Sequence, residues 1–521
     1  MKPIIKNIFS KTRRLLPMLM AVASLTATAY AAAPGITGPT FNLTAATAYL
    51  TQPDGQALYS WGYGCTGAPT GYAPAAVAGT FCNNMQVPGP TLIVHENENV
   101  SVTLTNSLPS AAGNTSILFP GFAVTATGGV AGLLTQEAAT GGTVTYSFTA
   151  NTPGTHAYYS GTQGDLQVEM GLFGAIIVLP ASTYAECTGG LHAKNITAEG
   201  HWQESDFRLA ASAYDNPKTC YDREYLFQFS EMDPAIHWQA LNQVQQCGNT
   251  VGCTLHVATE PYRPAYFMIN GRSMPDDMDS NYAVEYPHQP YNGNPHMHPG
   301  EQVLLRIIGQ GRWQHPFHEH ANHVRLLARD GNLLLTPDGQ ALAGPALFTT
   351  TTTPGQTMDG IFYYTGRGLN WDMYGHNPAS TDANAKLPCT PDADGYNTGD
   401  PTALNYFEWC QDHNKPLEAF PTGDVAGNGP VTLPDPNILF NGAWFGGSPY
   451  LGPNATGRAV GTTGTTPPSG TVANSPSGEA GFAFMWHSHN EREITTNNAF
   501  PGGMMMMMLV DSREFAIDES K

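Results

Sequence analysis

Apolar and polar residues alternate in short runs along most of this chain. Val100, Val102 and Leu104 are separated by Ser101 and Thr103, the period-two pattern of a half-buried strand. Residues 143–148 repeat the pattern. Residues 171–178 form a nearly continuous apolar run, which predicts a closing strand buried on both faces. Pro88, Gly89 and Pro90 form a turn that feeds a further strand to Val94. In the second half, 223–229, 266–269, 300–308, 315–327, 360–364 and 481–486 read as strands. Gly, Pro and Asn turns separate them, and no stretch reads as a long amphipathic helix. The pattern predicts an all-β protein of Greek-key β-sandwich domains.

Element spacing divides the chain. A first domain is expected over 32–180, a linker or reduced middle domain over 181–259, and a C-terminal domain over 260–515. The last carries a Gly/Pro/Asp/Asn-rich insertion at about 371–478, expected to form an ordered lid in part, with 462–477 flexible. The first 31 residues read as an export signal. Lys2, Lys6, Lys11, Arg13 and Arg14 precede an apolar stretch that ends at Ala29-Tyr30-Ala31. The Arg13-Arg14 pair leaves twin-arginine and ordinary secretion both open. The apolar stretch is too short for a membrane span, so a periplasmic or extracellular protein with no transmembrane segment after cleavage is expected.

Composition narrows the partners. Only 12% of residues are charged, and the net charge of −20 becomes about −25 once the basic leader is removed. Such a surface has no electrostatic affinity for nucleic acid or anionic lipid. Eight cysteines fit export, and sequence proximity suggests the disulfides 65–82, 187–220, 247–253 and 389–410. None adjoins a candidate ligand histidine.

Candidate chemistry lies in the histidines. His318 with His320, and His487 with His489, are i, i+2 pairs on predicted strands, so each pair can present two imidazoles to one side. Ordinary buried histidines are the alternative reading. His296 and His298 form a third pair in a loop, near His288. His323 has the opposite strand parity to His318, and His376 opens the insertion. Glu319, Asp330 and Glu491 read as strand-face or loop carboxylates, and Met504 to Met508 as a gap-filling core strand. Hydrolase elbows, phosphate loops, dinucleotide fingerprints and zinc-protease motifs do not stand out.

Several motifs in order resemble the multicopper oxidases, which are built from cupredoxin domains. They are Val87-Pro88-Gly89-Pro90-Thr91, Thr145 through Gly154-Thr155 to Gly171-Leu172-Phe173-Gly174, Gly300-Glu301-Gln302-Val303, His315-Pro316-Phe317-His318-Glu319-His320 and His487-Ser488-His489. The resemblance implies two or three cupredoxin-like domains, copper as cofactor, and His318, His320, His487 and His489 as metal ligands with His315 nearby. It also exposes losses. The family's N-terminal histidine pairs fall on residues 117–122 and on Tyr159 and Gly161, and Ser488 and Glu493 replace a cysteine and a histidine of the mononuclear site. A serine hydroxyl is a hard donor that cannot replace a thiolate.

The expected function is an exported multicopper-oxidase-like copper-binding protein. As an oxidoreductase with a degenerate copper site it would oxidise phenols, metal ions or another small reductant. The alternative is a non-catalytic secreted β-sandwich protein for copper storage or a structural role. A partner subunit that supplies the missing ligands is a further reading.

Overall fold

The computed structural model describes residues 33–188, 208–368, 372, 388–400, 403, 405–415, 481–511 and 517, with short strands at Thr197–Ala198, Trp202–Gln203 and Gly447–Tyr450. The leader, His376, the 462–477 segment and most of the insertion lie outside these residues.

Alternation along the chain becomes burial in the fold. In Asn99–Asn106 and Thr143–Thr149, every second side chain enters the core and the others face outward. The all-β expectation holds, as cupredoxin-like β-sandwiches. One N-terminal sheet orders its strands Gly154–Tyr159, Phe173–Leu179, Leu92–His95, Gly35–Thr37, Tyr72–Ala73. The facing sheet runs Ala57–Cys65, Thr40–Thr51, Asn99–Asn106, Thr143–Thr149, Thr125–Gly128. Between them pack Trp61, Tyr63, Tyr146, Tyr158 and Ile176, all fully buried.

The C-terminal half repeats the arrangement. Arg223–Met232 lies between Tyr266–Ile269 and Gln302–Gly309, followed by Thr357–Tyr363 and Val324–Arg329. The opposing sheet runs His296–Met297, Met505–Asp511, Gly481–Ser488, His315–Glu319, Thr349–Thr352. Phe229, Ile307, Phe317, Phe362, Trp486, Met506 and Met508 fill the space between. The methionine run is thus core, as its flexible apolar side chains suit.

Two features depart from the sequence pattern. Arg223–Met232, within the expected linker at 181–259, is an interior strand of the C-terminal sheet and pairs in parallel with Gln302–Gly309. The same segment holds a 14-residue helix, Pro234–Cys247, where no long helix was expected. Its polar composition hides its inner face of Ile236, His237, Ala240 and Cys247. The local signals are nevertheless present: Asp233 Oδ1 accepts from the Ala235 N–H at 2.9 Å, Pro234 opens the first turn, and Gly248 follows the last.

All four suggested disulfides are formed. No helix among the described residues is long and apolar enough to cross a membrane.

Candidate metal centre

His315–Glu319 and Gly481–Ser488 are antiparallel neighbours, and their register sets His318 directly opposite His487. His320 and His489 lie two residues further along their own chains, just past the strand ends, so all four side chains emerge on one face. Their rings converge. Centroids lie 4.7 Å apart for His318–His320 and His318–His489, 5.8 Å for His318–His487, 5.1 Å for His320–His487 and 4.9 Å for His487–His489. His318, His320 and His487 are buried, whereas His489 is exposed, so the cluster reaches the surface along one edge.

Neighbouring groups orient these rings. His487 Nδ1 donates to the Ser488 carbonyl at 2.9 Å, which leaves Nε2 as its lone-pair nitrogen. That atom stands 3.1 Å from His320 Nε2. Two nitrogens sharing one metal ion at bonds of about 2.0 Å would be about 3 Å apart, so the spacing suits a shared cation. His318 Nδ1 contacts Thr349 Oγ1 at 3.1 Å. Burial, with His489 and His487 beside it, pushes the His318 imidazole down to about 4. Burial also lowers His487. Both rings are therefore neutral at pH 7, the form that ligates a metal. The donor set fits a metal that prefers imidazole.

His315 lies on the other face of the same strand, with fully buried carboxylates at both ring nitrogens. Nε2 is 2.9 Å from Glu231 Oε2. Nδ1 is 3.0 Å from Glu493 Oε2, an ion-pair contact that lies off the ideal N–H direction. Glu231 Oε1 accepts from the Arg312 and Trp313 backbone N–H groups, and Glu493 accepts from Ser488 Oγ at 2.5 Å and Asn490 Nδ2 at 2.9 Å. Burial opposes charging His315, but Glu231 and Glu493 overcome it and raise the imidazole to about 9. An imidazolium between carboxylates has no lone pair to give a metal. Ser488 and Glu493 are committed to this ion-pair network.

Aromatic packing surrounds residues 117–122, where the resemblance set the family's first histidine pair. Phe119 packs on Phe148 at 4.9 Å and near Tyr158 at 5.9 Å, while Phe122 stacks on Phe148 at 4.8 Å. Leu118 bridges to Tyr159, and His156 is held by the Thr152 carbonyl at 2.9 Å.

Other sequence candidates have different surroundings. His288 Nδ1 lies 2.8 Å from the Met85 carbonyl, and His296 is part of a short strand beside the final one. Strand parity does not reach His323, because the strand ends at Glu319; His323 packs against Phe348, the ring that His318 also touches. Glu319 accepts from Thr350 Oγ1 at 2.6 Å, and burial raises it to about 8. Cys389, Glu408 and His413 bring ligand atoms within 4.8 Å of one another, but the Cys389 sulfur is tied to Cys410 and offers no thiolate. Sequence reasoning missed Glu231, which is 84 residues from His315 and carried no local signal.

Fold and site together define a cupredoxin-like β-sandwich protein with a four-histidine cluster. Residues 69–183 match the sequence model of the multicopper oxidase family. The matched residues lie mostly in the N-terminal sandwich. Among solved structures it is similar to the multicopper oxidase mgLAC (15% identity, 91% of this chain and 86% of that one, TM-score 0.44). It is also similar to the blue copper oxidase from Nitrosomonas europaea (15%, 90% and 85%, 0.44) and to a laccase from Botrytis aclada (18%, 64% and 47%, 0.35). No curated protein matches the chain.

Proposed function

We propose that this is an exported copper-binding protein whose metal is held by His318, His320, His487 and His489. Convergence of four imidazoles on one face of two paired strands carries the reading. Copper accepts such a nitrogen set in both of its common oxidation states. When bound it would supply one-electron redox chemistry toward a small reductant such as a phenol or a metal ion. The protein's contribution is access and orientation. Exposed His489 leaves one edge of the cluster open to a reductant, while Thr349 and the Ser488 carbonyl hold the rings of His318 and His487. Direct contact at that edge would replace the thiolate route, since Ser488, His315 and Glu493 are bound to one another.

The test is copper content after loading and desalting. The chain should retain about one to two copper ions by elemental analysis, without intense blue-copper absorption. H318A/H487A should lose them with its circular dichroism unchanged. Undiminished copper in that variant would overturn the assignment. Oxygen uptake with phenols or Mn(II) then separates an oxidase from a copper store.

A further inference from the structure

A cleft of about 330 Å³ opens at the seam between the two sandwiches, and the four cluster histidines do not line it. Pro120, Gly121 and His156 form its N-terminal wall, and Asp330, Pro354 and Gln356 its C-terminal wall. His156 is only 3% exposed. Its Nε2 donates to the Thr152 carbonyl at 2.9 Å, so Nδ1 carries the lone pair. Phe122 packs on the ring at 4.7 Å, and Gly331 closes against its Cε1 edge, where a Cβ would lie 2.6 Å away. Nδ1 faces Gly121 instead, where a Cβ would stand 3.5 Å off. Among the described residues, nothing donates to Nδ1. Burial lowers His156, which keeps the ring neutral and its lone pair available. A buried acceptor without a donor is costly, and here it lies in the wall of a cleft.

Asp330 brings a second acceptor to the same cleft. Its N–H donates to the Thr357 carbonyl at 3.0 Å, and its Oδ1 accepts from the Thr357 N–H at 2.9 Å. Its other carboxylate oxygen has no donor among the described residues. Asp330 is close enough to act electrostatically on His156, as is Asp359, which is held by Thr155 and the Tyr214 hydroxyl. Arg306, the cation of that junction, is committed to Glu224 and the Thr155 hydroxyl. No lysine or arginine lines the cleft. Its walls therefore offer a lone-pair nitrogen and a carboxylate oxygen with no cation of their own.

We infer that this seam binds a small primary ammonium ion with a short hydrocarbon body. An ammonium group carries three N–H donors and no acceptor. One can meet His156 Nδ1 and another the second oxygen of Asp330, while Pro120 and Pro354 flank the carbon chain. An alcohol has a single donor and cannot meet both groups, and an anion would face a carboxylate. The volume lies in the range of small-molecule sites, about 300–1,000 Å³, and is far larger than a bare metal ion requires. The assignment does not depend on the copper reading.

The test is ¹⁵N NMR of the metal-free chain with labelled histidine, titrated with n-butylammonium chloride near pH 7. The His156 Nδ1 resonance should move saturably toward its hydrogen-bonded position, while Nε2 keeps its proton. n-Butanol, of the same length but uncharged, should bind about tenfold more weakly or worse. Asp330→Asn keeps an oxygen for the Thr357 N–H, removes the charge, and should weaken butylammonium binding by a similar factor at an unchanged melting temperature. An unmoved His156 resonance in the folded parent would overturn the site. Equal binding of the alcohol, or parent-like binding by the folded variant, would overturn it as well.

Discussion

His315 and His318 are three residues apart on one strand, face opposite ways and titrate in opposite directions. His315 is raised to about 9 against an unfolded value of about 6.5. Its stabilisation is fully present below pH 6.5 and is lost as pH rises through 9, with a magnitude of order 3 kcal/mol. His318 is lowered to about 4, so the metal-free protein binds fewer protons folded than unfolded. That contribution is present above pH 6.5 and is lost as pH falls toward 4. Urea unfolding of the metal-free chain should therefore lose the His315 contribution as pH rises from 6.5 through 9, beside the Glu319 contribution lost by about pH 8, and the His318 contribution as pH falls toward 4. Glu493→Gln removes one carboxylate partner of His315 and should flatten the alkaline side. A parent curve that is flat from pH 6.5 to 9.5 would contradict the ion-pair account.

Strands were legible in the sequence both where one face is buried, as alternation, and where both are, as short apolar-rich runs. Residues 143–148 fall within Thr143–Thr149, and 223–229 within Arg223–Met232. The Pro234–Cys247 helix was not legible, because its buried face is built from Ile236, Ala240 and a histidine rather than a broad apolar stripe. Its stability should depend more on its ends. Asp233→Ala removes the cap to Ala235 and also the carboxylate that accepts from the Arg263 N–H, so a loss of about 1–2 kcal/mol is expected in chemical unfolding. The candidate site was half legible for a related reason. Parity within a strand paired His318 with His320 and His487 with His489. Their convergence needed the cross-strand register, and the partners of His315 come from a strand and a loop remote in sequence.

At the scale of the whole molecule, a buried polar cluster around Asp359 is among the contacts that join the two sandwiches, with Gln310 on the Gly174 carbonyl and Glu169 on the Asp233 N–H as others. Thr155, on the N-terminal Gly154–Tyr159 strand, donates from its N–H and hydroxyl to Asp359 at 3.1 and 2.6 Å, and its carbonyl accepts from Thr357 Oγ1 at 2.7 Å. Arg306 reaches Thr155 Oγ1 at 3.2 Å while paired with Glu224 at 2.7 Å. Tyr214 donates to Asp359 at 2.5 Å. Arg306, Glu224 and Asp359 are all essentially buried, so this junction cannot exchange one partner for water at small cost. Arg306→Ala would leave Glu224 buried without its cation and Asp359 with less compensation. A destabilisation of about 3–5 kcal/mol is expected. Because the contact spans both sandwiches, the loss should also appear as decoupling. Calorimetry of the parent should give one transition, and Arg306→Ala two, with the disulfides intact in each. A variant that melts in one transition at the parent temperature would place the coupling in the other contacts between the sandwiches instead. The histidine cluster lies on two C-terminal strands and the residues just past their ends, so copper binding should survive the decoupling that Arg306→Ala produces.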